Sequence, residues 1–81
     1  MAKKQFRIGE SAVGGIIAVE VNKESIIVRA LDYNTKRPVV ADVKLPRTEP
    51  NLSNYIECYL MDITTCYYAG KIMEWIKRNF V

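Results

Sequence analysis

The sequence has no histidine, two cysteines and only four glycines. The missing histidine excludes Ser-His and Cys-His nucleophile systems and the commonest zinc ligand sets. Cys58 and Cys66 are eight residues apart, which is neither a C-x-x-C redox pair nor a metal spacing. On one helix they would stand about 12 Å apart along the axis, too far for a disulfide. The expectation is two small apolar core residues in a reducing compartment, and hence a cytoplasmic protein. No apolar run approaches the length of a membrane span, and residues 1–5 are not followed by the apolar segment of a secretory signal. The carboxylates Glu10, Glu20, Glu24, Asp32, Asp42, Glu49, Glu57, Asp62 and Glu74 are scattered, and no spacing pairs them for acid–base chemistry. The reading is a protein that is not an enzyme and that uses no cofactor or metal.

What is present is ordinary for a globular domain: 81 residues, 49% hydrophobic and 26% charged. Residues 1–81 read as a single domain divided in two, with strands over about 5–45 and helix over about 51–80. Apolar residues alternate in the first part. Phe6 and Ile8 alternate with Gln5 and Arg7. Ile17, Val19 and Val21 form a second set, and Ile26, Val28 and Ala30 a third. Val39, Ala41, Val43 and Leu45 share one side of a last strand, with Val40, Asp42 and Lys44 on the other. A loop at Asn22–Ser25 sets Val21 against Ile26 and Ile17 against Ala30. A turn centred on Thr35-Lys36 sets Ala30 against Ala41, Val28 against Val43 and Ile26 against Leu45. Both registers gather one apolar face, as a half-buried sheet requires. They also place Arg29 beside Asp42, a cross-strand pair of opposite charge.

Pro46 and Pro50 mark the change to helix. Leu52, Ile56, Tyr59, Leu60, Ile63, Cys66 and Tyr67 follow at helical spacing, with Asn54 and Glu57 as a weak capping box. Ala69, Ile72, Met73, Ile76 and Phe80 form a second stripe, rotated from the first. Thr64-Thr65 and Gly70 lower helix propensity locally. The expected architecture is α+β: a four-stranded antiparallel β-meander followed by a C-terminal helical layer, either one bent helix or two helices meeting near residues 65–70. Tyr59 and Tyr67 fall on the apolar stripe, at the core margin. Tyr68 and Trp75 fall off it, which makes them candidates for a partner surface.

The run Gly9-Glu10-Ser11-Ala12-Val13-Gly14 resembles the opening of the phosphate-binding loop of Rab-type small GTPases. The chemistry departs at once, because Gly15 stands at the lysine position and Ile16 at the hydroxyl position. The following Ile16–Val21 reads as a strand, so no helix dipole faces a phosphate. The sequence therefore predicts a Gly14-Gly15 bend between strands and no nucleotide.

Residues 1–48 carry nine basic and five acidic groups, and residues 49–81 three basic and four acidic. Lys36, Arg37, Lys44 and Arg47 gather in sequence around one turn and its outgoing strand, the expected site if single-stranded nucleic acid binds. Four strands followed by helix is also the order in Whirly-type and PUR-type single-strand binders and in some small phage anti-CRISPR proteins, although no residue motif is shared with them. The second sheet face carries Ile16, Ile27, Leu31, Tyr33 and Val40 in the proposed registers. That is an apolar row larger than isolated surface residues explain. Either the segment 70–81 or a second copy of the chain should cover it. The leading expectation is a small accessory or inhibitor protein acting through protein–protein contacts, as a homodimer or with another protein. Its partner-binding residues would be Ile16, Ile27, Leu31, Tyr33, Val40, Tyr68 and Trp75.

Overall fold

The computed structural model describes residues 2–80. Strands β1 (Ala2–Arg7), β2 (Gly15–Val21), β3 (Ser25–Asp32) and β4 (Val43–Pro46) are followed by helices α1 (Leu52–Ile63) and α2 (Cys66–Asn79). The strands form one antiparallel sheet in chain order, β1-β2-β3-β4. The α+β meander is as the alternation implies. The β2–β3 register pairs Val21 with Ile26, Val19 with Val28 and Ile17 with Ala30, as expected. These six side chains, all buried, face the helices. Helix α1 contributes Ile56, Leu60 and Ile63 to the same core, and α2 contributes Ala69, Ile72, Met73 and Ile76.

The chain between β3 and β4 departs from the simple meander. The expected register holds at Ile26–Leu45 and Val28–Val43. Beyond that point, Leu31 bridges Pro38 rather than Val40, and the Ala30 carbonyl accepts the Val39 N–H rather than facing Ala41. The cause is the turn. The Asp32 carboxylate accepts the N–H groups of Asn34 (3.0 Å) and Thr35 (2.9 Å), and Lys36 takes φ 61°. Asp32 N–H then bonds Arg37 C=O, closing the hairpin one residue earlier than a turn centred on Thr35-Lys36. Two surplus residues must leave the ladder before Val43. Val39, Val40, Ala41 and Asp42 are therefore exposed and outside the strand, whereas the sequence placed them within it.

The helical layer is two helices, and the break falls at Thr64-Thr65. Gly70 lies inside α2, not at the junction. The break has a tertiary cause: Thr64 is extended (φ −151°) and forms an isolated antiparallel bridge with Ala12. Its hydroxyl donates to the Ser11 carbonyl, and the Val13 N–H donates to the Ile63 carbonyl (2.8 Å). The break also resets the helical phase. Cys66 and Tyr67 leave the first stripe, and Tyr67 is 65% exposed rather than at the core margin. Both cysteines are exposed free thiols, not core residues. Cys58 lies two positions from both Ile56 and Leu60, on the opposite side of α1. The N-cap of α1 is Asn51, immediately after Pro50, so Asn54 sits in the first turn and forms no capping box. Tyr59 is half-buried with its hydroxyl turned outward to the Ala41 carbonyl (3.2 Å), as the amphipathic stripe implies.

Gly14 (φ 76°) and Gly15 (φ 97°) form the bend that leads directly into β2. A Cβ on Gly14 would lie 2.5 Å from the Leu31 carbonyl oxygen, so only glycine permits this close approach. The loop that resembles a phosphate site is thus a 3₁₀ turn (Gly9–Ser11) and a glycine bend, with a strand where a phosphate-binding helix would start.

Candidate functional site

The sheet face away from the helices is polar at its centre. Lys3, Glu20, Arg29 and Asp42 form a chain of ion pairs across it, at 3.7, 3.4 and 3.1 Å. The Arg29–Asp42 pair is the one the register implies. Ile16 and Leu31 lie on this face but are already 3% and 7% exposed within the single chain. Beside them the Tyr33 ring is approached by the Arg7 guanidinium (4.2 Å) and the Lys36 ammonium (4.6 Å). Ile27 is half-buried opposite Lys44, and Val40 is displaced into the bulge. The expected continuous row of Ile16, Leu31 and Val40 is therefore interrupted. The segment 70–80 does not cover this face either, because α2 packs on the opposite side with Ile17 and Val19; Val81 lies outside the described residues.

Three exposed apolar side chains instead gather around Gly14. Val13 adjoins it in sequence, Tyr33 donates its N–H to the Gly14 carbonyl (2.7 Å), and a Val39 methyl lies 3.0 Å from where a Gly14 Cβ would be. Val13, Tyr33, Val39 and the neighbouring Val40 are each 37–42% exposed.

The four cations proposed for nucleic acid do not form one patch. Lys36 and Arg37 sit in the turn after β3, and Lys36 is folded onto the Tyr33 carbonyl (2.6 Å). Arg47 follows β4 at the other end of β3, where it donates to the Asn22 carbonyl (3.0 Å) and stacks on Phe80 (4.1 Å). The eight residues of β3 separate the two ends by roughly 25 Å. Lys44 lies between them, opposite Ile27.

A concentration of cations that the sequence reading missed lies along β1. A groove of about 430 Å³ runs between β1 and α2, floored by Phe6, Ile8, Ile72 and Trp75 and flanked by Tyr68. Lys4, Lys71 and Arg78 line it, against a single carboxylate, Glu74, while the Arg7 guanidinium lies on the other sheet face against Tyr33. Among the described residues none of these three cations has a carboxylate within 4 Å, since the ion pairs involve Lys3 and Arg29 only. Trp75 meets Phe6 edge to face (centroids 5.9 Å, 82°), which fixes α2 to the edge strand. Tyr68 and Trp75, which fall off the core stripe, both line this groove. The signal in the sequence is the helical spacing Tyr68–Lys71–Trp75–Arg78, which alternates aromatic and basic residues along a second side of α2.

The β1 backbone is open on this side. Ile8 N–H bonds Gly15 C=O, so the even-numbered residues of β1 form the hydrogen-bonded pairs with β2. Alternation then directs the N–H and C=O groups of Lys3, Gln5 and Arg7 away from β2, at the sheet edge.

Among the described residues no group of three or more His, Cys, Asp or Glu converges, and no helix is long and apolar enough to cross a membrane. No protein-family model matches the chain, and neither curated proteins nor solved structures provide a match to it.

Proposed function

We propose that this chain is a small non-enzymatic binding protein that acts through protein–protein contacts, with the groove between β1 and α2 as its contact surface. The observation that carries this reading is the conjunction at one place of an open strand edge, an aromatic floor and three cations without carboxylate partners. The scattered carboxylates and the absence of histidine support a non-enzymatic role, and the two exposed free thiols suit a reducing, cytoplasmic setting. The test is affinity capture of a protein by the immobilised chain from cells that make it. The double variant Lys71→Glu/Arg78→Glu should lose that protein. Capture that a nuclease abolishes, with no protein retained after treatment, overturns the reading in favour of nucleic acid.

Self-association is a second reading, favoured by the exposed Val13, Tyr33, Val39 and Val40 around the Gly14 bend. It requires light scattering to show a dimer that Val39→Glu dissociates. A monomer at high concentration removes it.

A further inference from the structure

We propose that the partner is an acidic, extended peptide segment that adds to β1 as a fifth strand and lays alternate side chains into the groove. This rests on the protein-binding reading above and specifies its chemistry. The edge presents alternating donors and acceptors at Lys3, Gln5 and Arg7, a pattern that another peptide backbone satisfies. A nucleic-acid backbone, which offers phosphate acceptors, would leave the three carbonyls unpaired.

The opposite edge is a poorer template, because β4 has four residues and ends at Pro46, which has no N–H to offer. A second copy of the chain is also a poor occupant of β1. Antiparallel self-pairing about Gln5 would set Lys3 against Arg7 twice on the same face, and directly opposed like charges are destabilising. An acidic strand reverses the sign of both contacts.

The register defines a motif. Residues opposite Lys3 and Arg7, four apart in the partner, are Asp or Glu. The two residues opposite Lys4 and Phe6 point toward α2 and are apolar or aromatic, where Tyr68 and Trp75 await them. Charge at the groove side comes from Lys71 and Arg78.

The probe is a capped heptapeptide, serine–glutamate–valine–threonine–tyrosine–glutamate–serine, followed by the fluorescence of Trp75, the chain's one tryptophan, and by amide hydrogen exchange. Strand addition predicts a saturable fluorescence change and at least about tenfold slower exchange at Lys3, Gln5 and Arg7. Gln5→Pro removes an outward donor and no β1–β2 bond, so it should weaken binding about tenfold while the far-ultraviolet circular dichroism stays unchanged. Methylating the threonine nitrogen of the peptide should do the same with the protein untouched. A fluorescence change without protection of these amides, insensitive to N-methylation, overturns strand addition but leaves protein binding at the groove in place. No response to peptide at about 1 mM overturns the proposal. Binding of oligothymidine in its place, lost in Lys71→Glu/Arg78→Glu, overturns this proposal and the protein-binding reading together.

Discussion

The two edges of the sheet are built by opposite means. At β1, six residues run without interruption beside β2, and Phe6 is clamped by Trp75 of the helix layer. Its outer backbone is left unpaired, and lysine or arginine stands at three of its six positions. At β4 the strand is four residues long, a bulge precedes it, and proline closes it. Exposed edges invite unwanted pairing, and short strands, bulges, proline and lysine are the usual protections. The β4 edge uses the first three, which remove the template itself. The β1 edge uses only charge, which leaves the template intact and selects by sign. An edge defended by charge alone is one that an oppositely charged strand can join.

The strongest way to break the contrast is at the joint between the two sides. Gly14→Ala would force a Cβ to within 2.5 Å of the Leu31 carbonyl oxygen at φ 76°. The expected loss is about 3–4 kcal/mol, measured by urea denaturation. Gly9→Ala is the control: its φ of 65° is similar, but nothing lies within 4 Å of the new atom. That substitution should cost only about 1 kcal/mol.

Removing the clamp comes next. Phe6→Ala takes away a half-buried ring and its edge-to-face contact with Trp75, for an expected loss of about 2 kcal/mol. Faster exchange at the Lys4 and Phe6 amides would show that β1 is the part released.

On the other side, Tyr59→Phe deletes the one hydroxyl bond that holds Ala41 to α1 and should cost about 1 kcal/mol by the same denaturation measurement. Burial, and secondarily the charge of Asp42, raises the Tyr59 phenol above its usual range. The unfolded chain therefore loses this proton first. The contribution is complete below the ordinary tyrosine pKa and fades as pH rises through the raised value, which absorbance titration of the phenolate follows.

The Asp32 turn titrates at the acid end. Hydrogen bonds from the Thr35 and Asn34 amides, with the Lys36 charge, hold its carboxyl below the usual aspartate range. Its contribution is present above the unfolded aspartate pKa and is lost as pH falls through the depressed value. Amide shifts of Asn34 and Thr35 should follow that step, and Asp32→Asn should abolish it. Last, Val40→Ser in the exposed bulge should change stability by no more than about 0.5 kcal/mol.

These differences explain which parts of the molecule were legible in sequence. The alternation of Ile17–Val19–Val21 against Ile26–Val28–Ala30 carries its own register, because a slip by one residue would expose every one of them. The Arg29–Asp42 pair follows from it. The bulge at residues 39–42 was not legible. It arises from side-chain bonds of Asp32 that close the turn a residue early, and the valines there have the same apolar character in or out of a strand. The break at Thr64 was placed only roughly, since low propensity hints at it but the bridge to Ala12 decides it. At the groove, Tyr68 and Trp75 stood out by falling off the core stripe. Lys4 did not, because its place beside α2 depends on how the helix crosses the sheet.

The stitch between Thr64 and the Ser11–Val13 segment has a kinetic consequence. Its hydroxyl bond joins residues 53 apart in sequence, so closing it costs on the order of 3–4 kcal/mol of chain entropy. Once the sheet and α1 are docked that entropy is already spent, so the bond stays closed as long as α1 keeps its place. The Val13 amide, carried by a residue 39% open to solvent, should therefore exchange as slowly as the amides of the buried strands. It serves as a surface probe of the whole domain's unfolding, while amides in the nearby Asp32 turn report only local fraying.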